Sequence, residues 1–215
     1  MPKTILEAIE SVPEDEGIEL VAPYYDPQHP YTGAFFELIG INDASPDQFT
    51  AADLYAVSTL AVQVPPKAGI AILGEQSELF NSLLRQIPSD MGLKDLSREE
   101  FELHLGSRSV VLELWDRLRR NGADEKRWKV GPTTASKIMA RKRPHLIPIE
   151  DSVVDRVTQR GRRDSWEMWW QAFHDGGDYL EARADRIRAT VERPDLSTLR
   201  VFDVLLWRRG KEQGH

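Results

Sequence analysis

Residues 127–142 read Arg127-Trp128-Lys129-Val130-Gly131-Pro132-Thr133-Thr134-Ala135-Ser136-Lys137-Ile138-Met139-Ala140-Arg141-Lys142, a basic stretch with a glycine–proline turn ahead of a helical pattern. Gly131 allows a tight turn with positive φ. Pro132 suits the first turn of a helix, where its missing N–H would have no partner anyway. Thr133 and Thr134 then begin a helix whose free N–H groups point outward. Upstream, Val110 to Arg120 is strongly amphipathic, with Val111, Leu114, Trp115 and Leu118 on one face, and Asn121-Gly122 stops it. Two helices joined through a glycine turn offer backbone donors to an anion. Phosphate is the natural choice, because the helix dipole and the open N–H groups both favour it. Lys129, Lys137, Arg141, Lys142 and Arg143 add positive charge beside the turn.

Working outward, the charge distribution sharpens this expectation. The 215 residues carry a net charge of -7, which as an average argues against a nucleic-acid binder. Residues 1–60, however, hold one Lys/Arg against eleven Asp/Glu, whereas residues 117–163 hold fourteen Lys/Arg against five Asp/Glu. This asymmetry has two readings: a local polyanion-binding face, or a basic helix pair docked on an acidic partner lobe. The length suits one large domain or two small lobes with a shared core. No apolar run approaches the roughly 20 residues of a membrane span. The N-terminus, with Glu7, Glu10, Glu14, Asp15 and Glu16, is unlike a signal peptide. Cysteine is absent, so disulfides, thiolate zinc sites and iron–sulfur clusters are excluded, and a cytoplasmic setting fits. The five histidines show no ligand spacing, and no metal site is expected.

Helical periodicity dominates the rest of the chain and predicts an all-α protein. Ile5 and Ile9 mark a short opening helix, broken by Pro13 and Gly17. Residues 22–33, with three prolines and three tyrosines, form a loop too long and aromatic for a simple linker. Ser45-Pro46 and Asp47 read as the start of a long helix reaching Gln63, ended by Pro65-Pro66. Ser97 with Glu100 is a capping box, and Asp164 or Ser165 caps a helix carrying Trp166, Trp169 and Trp170. Gly176-Gly177 interrupts the chain before two closing helices, 179–192 and 198–209.

Val130-Gly131-x-x-Thr134-Ala135 resembles the hairpin core of the helix-hairpin-helix DNA glycosylases. That family carries an aspartate in a downstream segment similar to Ile149-Glu150-Asp151-Ser152-Val153-Val154. The likeness covers about residues 110–160. Members that are also lyases place a lysine two residues after the hairpin glycine and 18 before the aspartate; here Thr133 stands at that position, 18 residues before Asp151. Two further departures are Lys129 in place of the usual first glycine and the absence of the family's iron–sulfur loop. The segment Tyr31-Thr32-Gly33 and the closing Leu199-Arg200-x-x-Asp203-x-x-Leu206-Trp207 also resemble an uncharacterised bacterial family.

The resemblance implies a monofunctional DNA glycosylase. It would act on double-stranded DNA as a monomer, flip one nucleotide out of the helix and hydrolyse the bond to a damaged, mismatched or modified base, in repair or in defence against phage with modified DNA. A Schiff-base lyase is disfavoured, since no amine stands at Thr133. No cofactor is implied beyond a monovalent cation, which the hairpin allows. Asp151 would stabilise charge developing at C1′ or orient water, and the same residue is equally placed to cap the helix that follows it. Lys129, Val130, Gly131, Thr133, Thr134, Lys137, Arg141, Lys142 and Arg143 would contact the DNA backbone. Tyr31, Phe35 and Phe36 would line the base pocket, with plain packing under a proline-rich loop as the alternative. Asp155 is read as a partner of Arg156 or Arg160, Glu150 as exposed, and the three tryptophans as core. A non-catalytic DNA-binding module is the alternative for the whole chain. Residues 45–146 are expected to form one lobe with the hairpin at about 115–142, and residues 1–44 with 147–215 the second, with Asp151 at the cleft between them.

Overall fold

N-terminal caps and apolar spacing divide the chain into helices, and in a computed structural model every regular element among the described residues is helical. The structure describes residues 4–43, 45–120, 127–161 and 164–215; the Asn121-Gly122 stop lies outside them. The α-helices are α1 (Ile5–Glu10), α2 (Glu14–Val21), α3 (Ala51–Ser58), α4 (Pro66–Ile70), α5 (Ser77–Arg85), α6 (Arg98–Leu105), α7 (Val110–Arg119), α8 (Pro132–Lys142), α9 (Ser152–Val157), α10 (Ser165–Thr190) and α11 (Thr198–Glu212). Among the described residues, no helix is long and apolar enough to cross a membrane.

Local chemistry explains most boundaries. Ser97 and Glu100 form the expected capping box at α6, and Asp164 caps α10 through the amides of Trp166 and Glu167. The interruption expected at Gly176-Gly177 is a kink within α10, where Gly177 leaves helical geometry. Two boundaries differ from expectation. First, α3 begins at Thr50 rather than Ser45, because Thr50 and Asp53 form a capping box of their own. Second, Gly17 lies inside α2; a Cβ there would come within 2.8 Å of the Arg183 guanidinium. That buried guanidinium donates to the Ile9 and Val12 carbonyls at the end of α1. Residues 66–75 are helical, with a π-helical turn at Ala71–Glu75.

Helices α3, α5, α6, α7 and α8 pack among themselves, as do α1, α2, α9, α10 and α11, over one continuous apolar core. The tryptophans of α10 join the two sets. Trp166 meets Trp115 of α7 edge-on, and Trp170 packs on Phe101 of α6 and donates to the Leu96 carbonyl. The central element is α8, which is buried on nearly every side: Ala135 to Ala140 are all inaccessible. A helix enclosed on all faces must find internal partners for whatever charges it carries, and this decides the fate of its cations.

Candidate functional site

The connection into α8 is built from Trp128 and Val130, both buried, between the exposed Arg127 and Lys129. The Trp128 indole N–H donates to the Leu118 carbonyl at 2.6 Å, tying the connection back to the last turn of α7. Arg120 leaves α7 in a left-handed conformation and lies over the Trp128 ring. The turn itself differs from expectation. Gly131 is extended (φ -86°, ψ 176°), and the left-handed residue is Lys129 (φ 68°). Gly131 is the N-cap of α8 and contributes no side-chain cap. The N–H groups of Thr133 and Thr134, both half-buried, therefore open the helix uncapped.

Most of the cations expected on phosphate are turned inward, and this corrects the sequence reading. Lys142 is 7% exposed, forms a short ion pair with Asp53 and donates to the Ser45 carbonyl at 2.9 Å. Burial lowers its pKa, against the opposing pull of Asp53. Arg143, 2% exposed, donates to the carbonyls of Ile87, Pro46 and Leu84 and to Asp47. Arg141 donates to Asp53 and to the Phe36 and Ile39 carbonyls. Lys137, 4% exposed, donates to the Leu60 carbonyl at 2.9 Å and reaches Asp151 at 3.4 Å. Each cation replaces water with an acceptor on a neighbouring segment, so none presents a free charge to an outside phosphate. Much of the basic stretch thus docks on the acidic N-terminal quarter. Lys129 and Arg127 remain exposed at the α8 entrance.

Asp151 caps α9: its Oδ1 accepts the Val153 amide at 2.9 Å while its Oδ2 faces Lys137. The backbone just before it is pinned to α8, where the Glu150 amide donates to the Ser136 hydroxyl. Asp151 and Lys137 line a cavity of about 250 Å³ together with Tyr24, Tyr31, Trp207 and Asp203. Its aromatic wall is ordered. Tyr31 stacks on Tyr24 (centroids 5.2 Å apart, planes at 9°), and Trp207 stands edge-on to both rings. The Tyr31 hydroxyl accepts from Arg208 at 2.6 Å, which holds this exposed ring at the rim. Gly33 sits behind Tyr24, and a Cβ there would stand 1.8 Å from the Tyr24 hydroxyl.

The floor of the cavity is a charged network that the sequence reading did not find. Arg200 donates to Glu37 at 2.7 Å, Asp203 at 2.6 Å, the Tyr24 hydroxyl at 3.1 Å and the Gly33 carbonyl at 2.8 Å. Burial, helped by the nearby Asp151 charge, raises the Asp203 pKa to about 6 against the opposing pull of Arg200 and Lys137. A signal existed: Arg200 and Asp203 are spaced i,i+3 in an otherwise apolar run, Leu199 to Trp207, which forces a buried pair.

Of the expected base-pocket residues, Tyr31 lines the same cavity as Asp151. Phe36 lines a neighbouring cavity of about 190 Å³ that shares Arg200 and Asp203. Phe35 is 44% exposed and lines neither. Asp155 pairs with Arg160 as read, at 2.6 Å. Glu150, read as exposed, is largely covered; its carboxylate lies 3.4 Å from Arg160, and burial raises its pKa.

No curated protein and no solved structure matches the chain. A family model described as a family of unknown function, DUF6308, matches residues 17–210. The match takes in α8, the Asp151 cap and all but the end of α11, so the chain belongs to the DUF6308 family.

Proposed function

We propose that the chain is a monofunctional DNA glycosylase, a cytoplasmic monomer that hydrolyses the bond between deoxyribose and a damaged or modified base turned out of double-stranded DNA, in repair or in defence against phage with modified DNA. The observation that carries this reading is the meeting of Asp151 with the stacked Tyr24 and Tyr31 in one cavity of about 250 Å³. That volume lies below the roughly 300 Å³ at which drug-sized pockets begin, and suits a single flat ring system. An aromatic wall holds a base by its face. A carboxylate beside it stabilises positive charge developing at C1′ and orients the attacking water.

In this reading α7, the Trp128 connection and α8 form a helix-hairpin-helix. The left-handed Lys129 stands where the glycosylase hairpin has its first glycine, and a conformation favouring glycine supports the equivalence. The uncapped Thr133 and Thr134 amides and the exposed Lys129 and Arg127 would grip one phosphate group. Lys137 stands six positions after Gly131, about 9 Å along the axis at 1.5 Å per residue, within reach of one nucleotide. The cavity walls come from both helix sets, α8 and the end of α3 on one side and α9 and α11 on the other, which supports a cleft between two lobes.

The test is to incubate the protein with plasmid DNA and with genomes of phages carrying modified bases, and then to cleave abasic sites with alkali. Wild type should generate alkali-labile sites, and Asp151→Asn should lower their formation about 10²–10³-fold, the usual loss of one electrostatic group. Binding without abasic sites on this panel would instead favour a non-catalytic DNA-binding module, and no binding at low salt would defeat both readings.

A further inference from the structure

Asp203 is a second carboxyl group in the Asp151 cavity, and it has no role in the reading above. It sits on α11, 6% exposed, with one oxygen fixed by Arg200 at 2.6 Å. Among the described residues no protein donor reaches its other oxygen, although the residue lines the cavity. The charged groups around it come from every neighbouring element: Arg200 on its own helix, Asp151 at the start of α9, and Lys137 on α8. Glu37 and the Tyr24 hydroxyl act on it through Arg200. Two carboxyl groups thus share one cavity, and burial beside the Asp151 charge favours the protonated form of Asp203 against the pull of Arg200, the usual setting for an acid role.

We infer that Asp203 is the proton donor to a departing uncharged base, and that release of a cationic, N-alkylated base from the same site draws nothing from it. The inference rests on the glycosylase reading. In the step, the Asp203 carboxylic acid gives its proton to a ring nitrogen or exocyclic oxygen of the base as the C1′–N bond breaks. The bonding pair leaves with the base. One water adds to C1′, and its proton passes to the Asp151 carboxylate. Proton transfer from Asp151 back to Asp203 restores the site, with one water consumed per bond broken. A base that already carries a positive charge leaves without this proton, and the donor gives it no advantage.

The working direction follows from burial, which holds Asp203 protonated up to a pKa of about 6. The donor is present below that pH and lost above it. Duplex oligonucleotides carrying one uracil, hypoxanthine or hydroxymethylcytosine, and others carrying one 7-methylguanine, are the probes. Single-turnover cleavage of the neutral bases should decline as pH rises through about 6, and wild type alone suffices for that measurement. Asp203→Asn should cut the neutral-base rate about 10²–10⁴-fold, the usual contribution of a positioned acid, and abolish the decline. It should change 7-methylguanine release by less than about threefold, since that step draws nothing from the acid. Thermal unfolding of Asp203→Asn provides the folding control, because Arg200 keeps Glu37, Gly33 and Tyr24 as partners. Neutral-base cleavage that is flat from pH 5 to 8 in wild type, or an equal loss on both substrate classes in a folded variant, would overturn the inference while leaving glycosylase activity standing. Absence of cleavage on every probe would remove the glycosylase reading and the Asp203 assignment together.

Discussion

Lys142→Ala separates a structural cation from a phosphate contact. The side chain crosses from the end of α8 to Asp53 at the start of α3 and to the Ser45 carbonyl, and 4% of it is exposed. Truncation removes three buried methylenes, worth about 0.8 kcal/mol each, or roughly 2 kcal/mol in all. The head group adds less than a fully orphaned ion pair. Asp53 keeps Arg141 at 3.2 Å and the Thr50 amide and hydroxyl at 2.8 and 2.9 Å, so we take about 1–2 kcal/mol rather than the 3–5 kcal/mol of an uncompensated buried charge. The expected loss is about 3–4 kcal/mol, which for a chain of this length lowers Tm by about 10 °C. Guanidinium chloride unfolding with an unchanged m-value measures the loss directly. DNA affinity at temperatures where the variant is folded should keep the wild-type salt slope. A loss under about 1 kcal/mol, together with a shallower salt slope, would refute the inward placement of Lys142 and return it to the DNA face.

Two further perturbations test the turn and the cavity. Lys129→Gly relieves a left-handed non-glycine residue, a conformation costing about 1–2 kcal/mol, against about 0.5–1 kcal/mol of added chain entropy; the variant should gain about 0.5 kcal/mol in chemical denaturation, and its DNA-binding salt slope should fall by about 1. Gly33→Ala forces the Tyr24 hydroxyl away from Arg200, since the new Cβ would stand 1.8 Å from it. Overpacking of this kind costs about 1–3 kcal/mol. Calorimetry should record the lower Tm, and base release should fall with it; a variant as stable as wild type would show that the stacked tyrosines have room to move.

What the sequence made legible was local. Caps at Ser97 and Asp164, the amphipathic face of α7, the interruption at Gly177 and the Asp155–Arg160 pair all depend on residues a few positions apart, where spacing alone sets geometry. The cations of α8 were illegible for the opposite reason. Whether Lys137, Lys142 and Arg143 meet solvent depends on segments 59–97 residues away, including the carbonyls of Ser45, Pro46, Leu60 and Leu84, and backbone acceptors leave no trace in side-chain identity. The acidic N-terminal quarter was the one available hint, because Asp47 and Asp53 supply the matching charge. The aromatic site was half legible. The tyrosine-rich loop stood out by composition, but its stacking against Trp207 joins the two ends of the chain and needed the fold.

The two roles open to Asp151 are compatible because the carboxylate divides them between its oxygens. Oδ1 is spent on the Val153 amide and fixes the rotamer; Oδ2 is left to Lys137 and the cavity. A cap that fixes the side chain also preorganises it, and preorganised charge is the kind that lowers a transition state. Asparagine caps a helix about as well as aspartate. In Asp151→Asn the α9 start should therefore survive, with a stability change within about 1 kcal/mol, while the negative charge facing the cavity disappears. A loss of base release in that variant at nearly unchanged Tm reports on the charge alone, and the capping role cannot account for it.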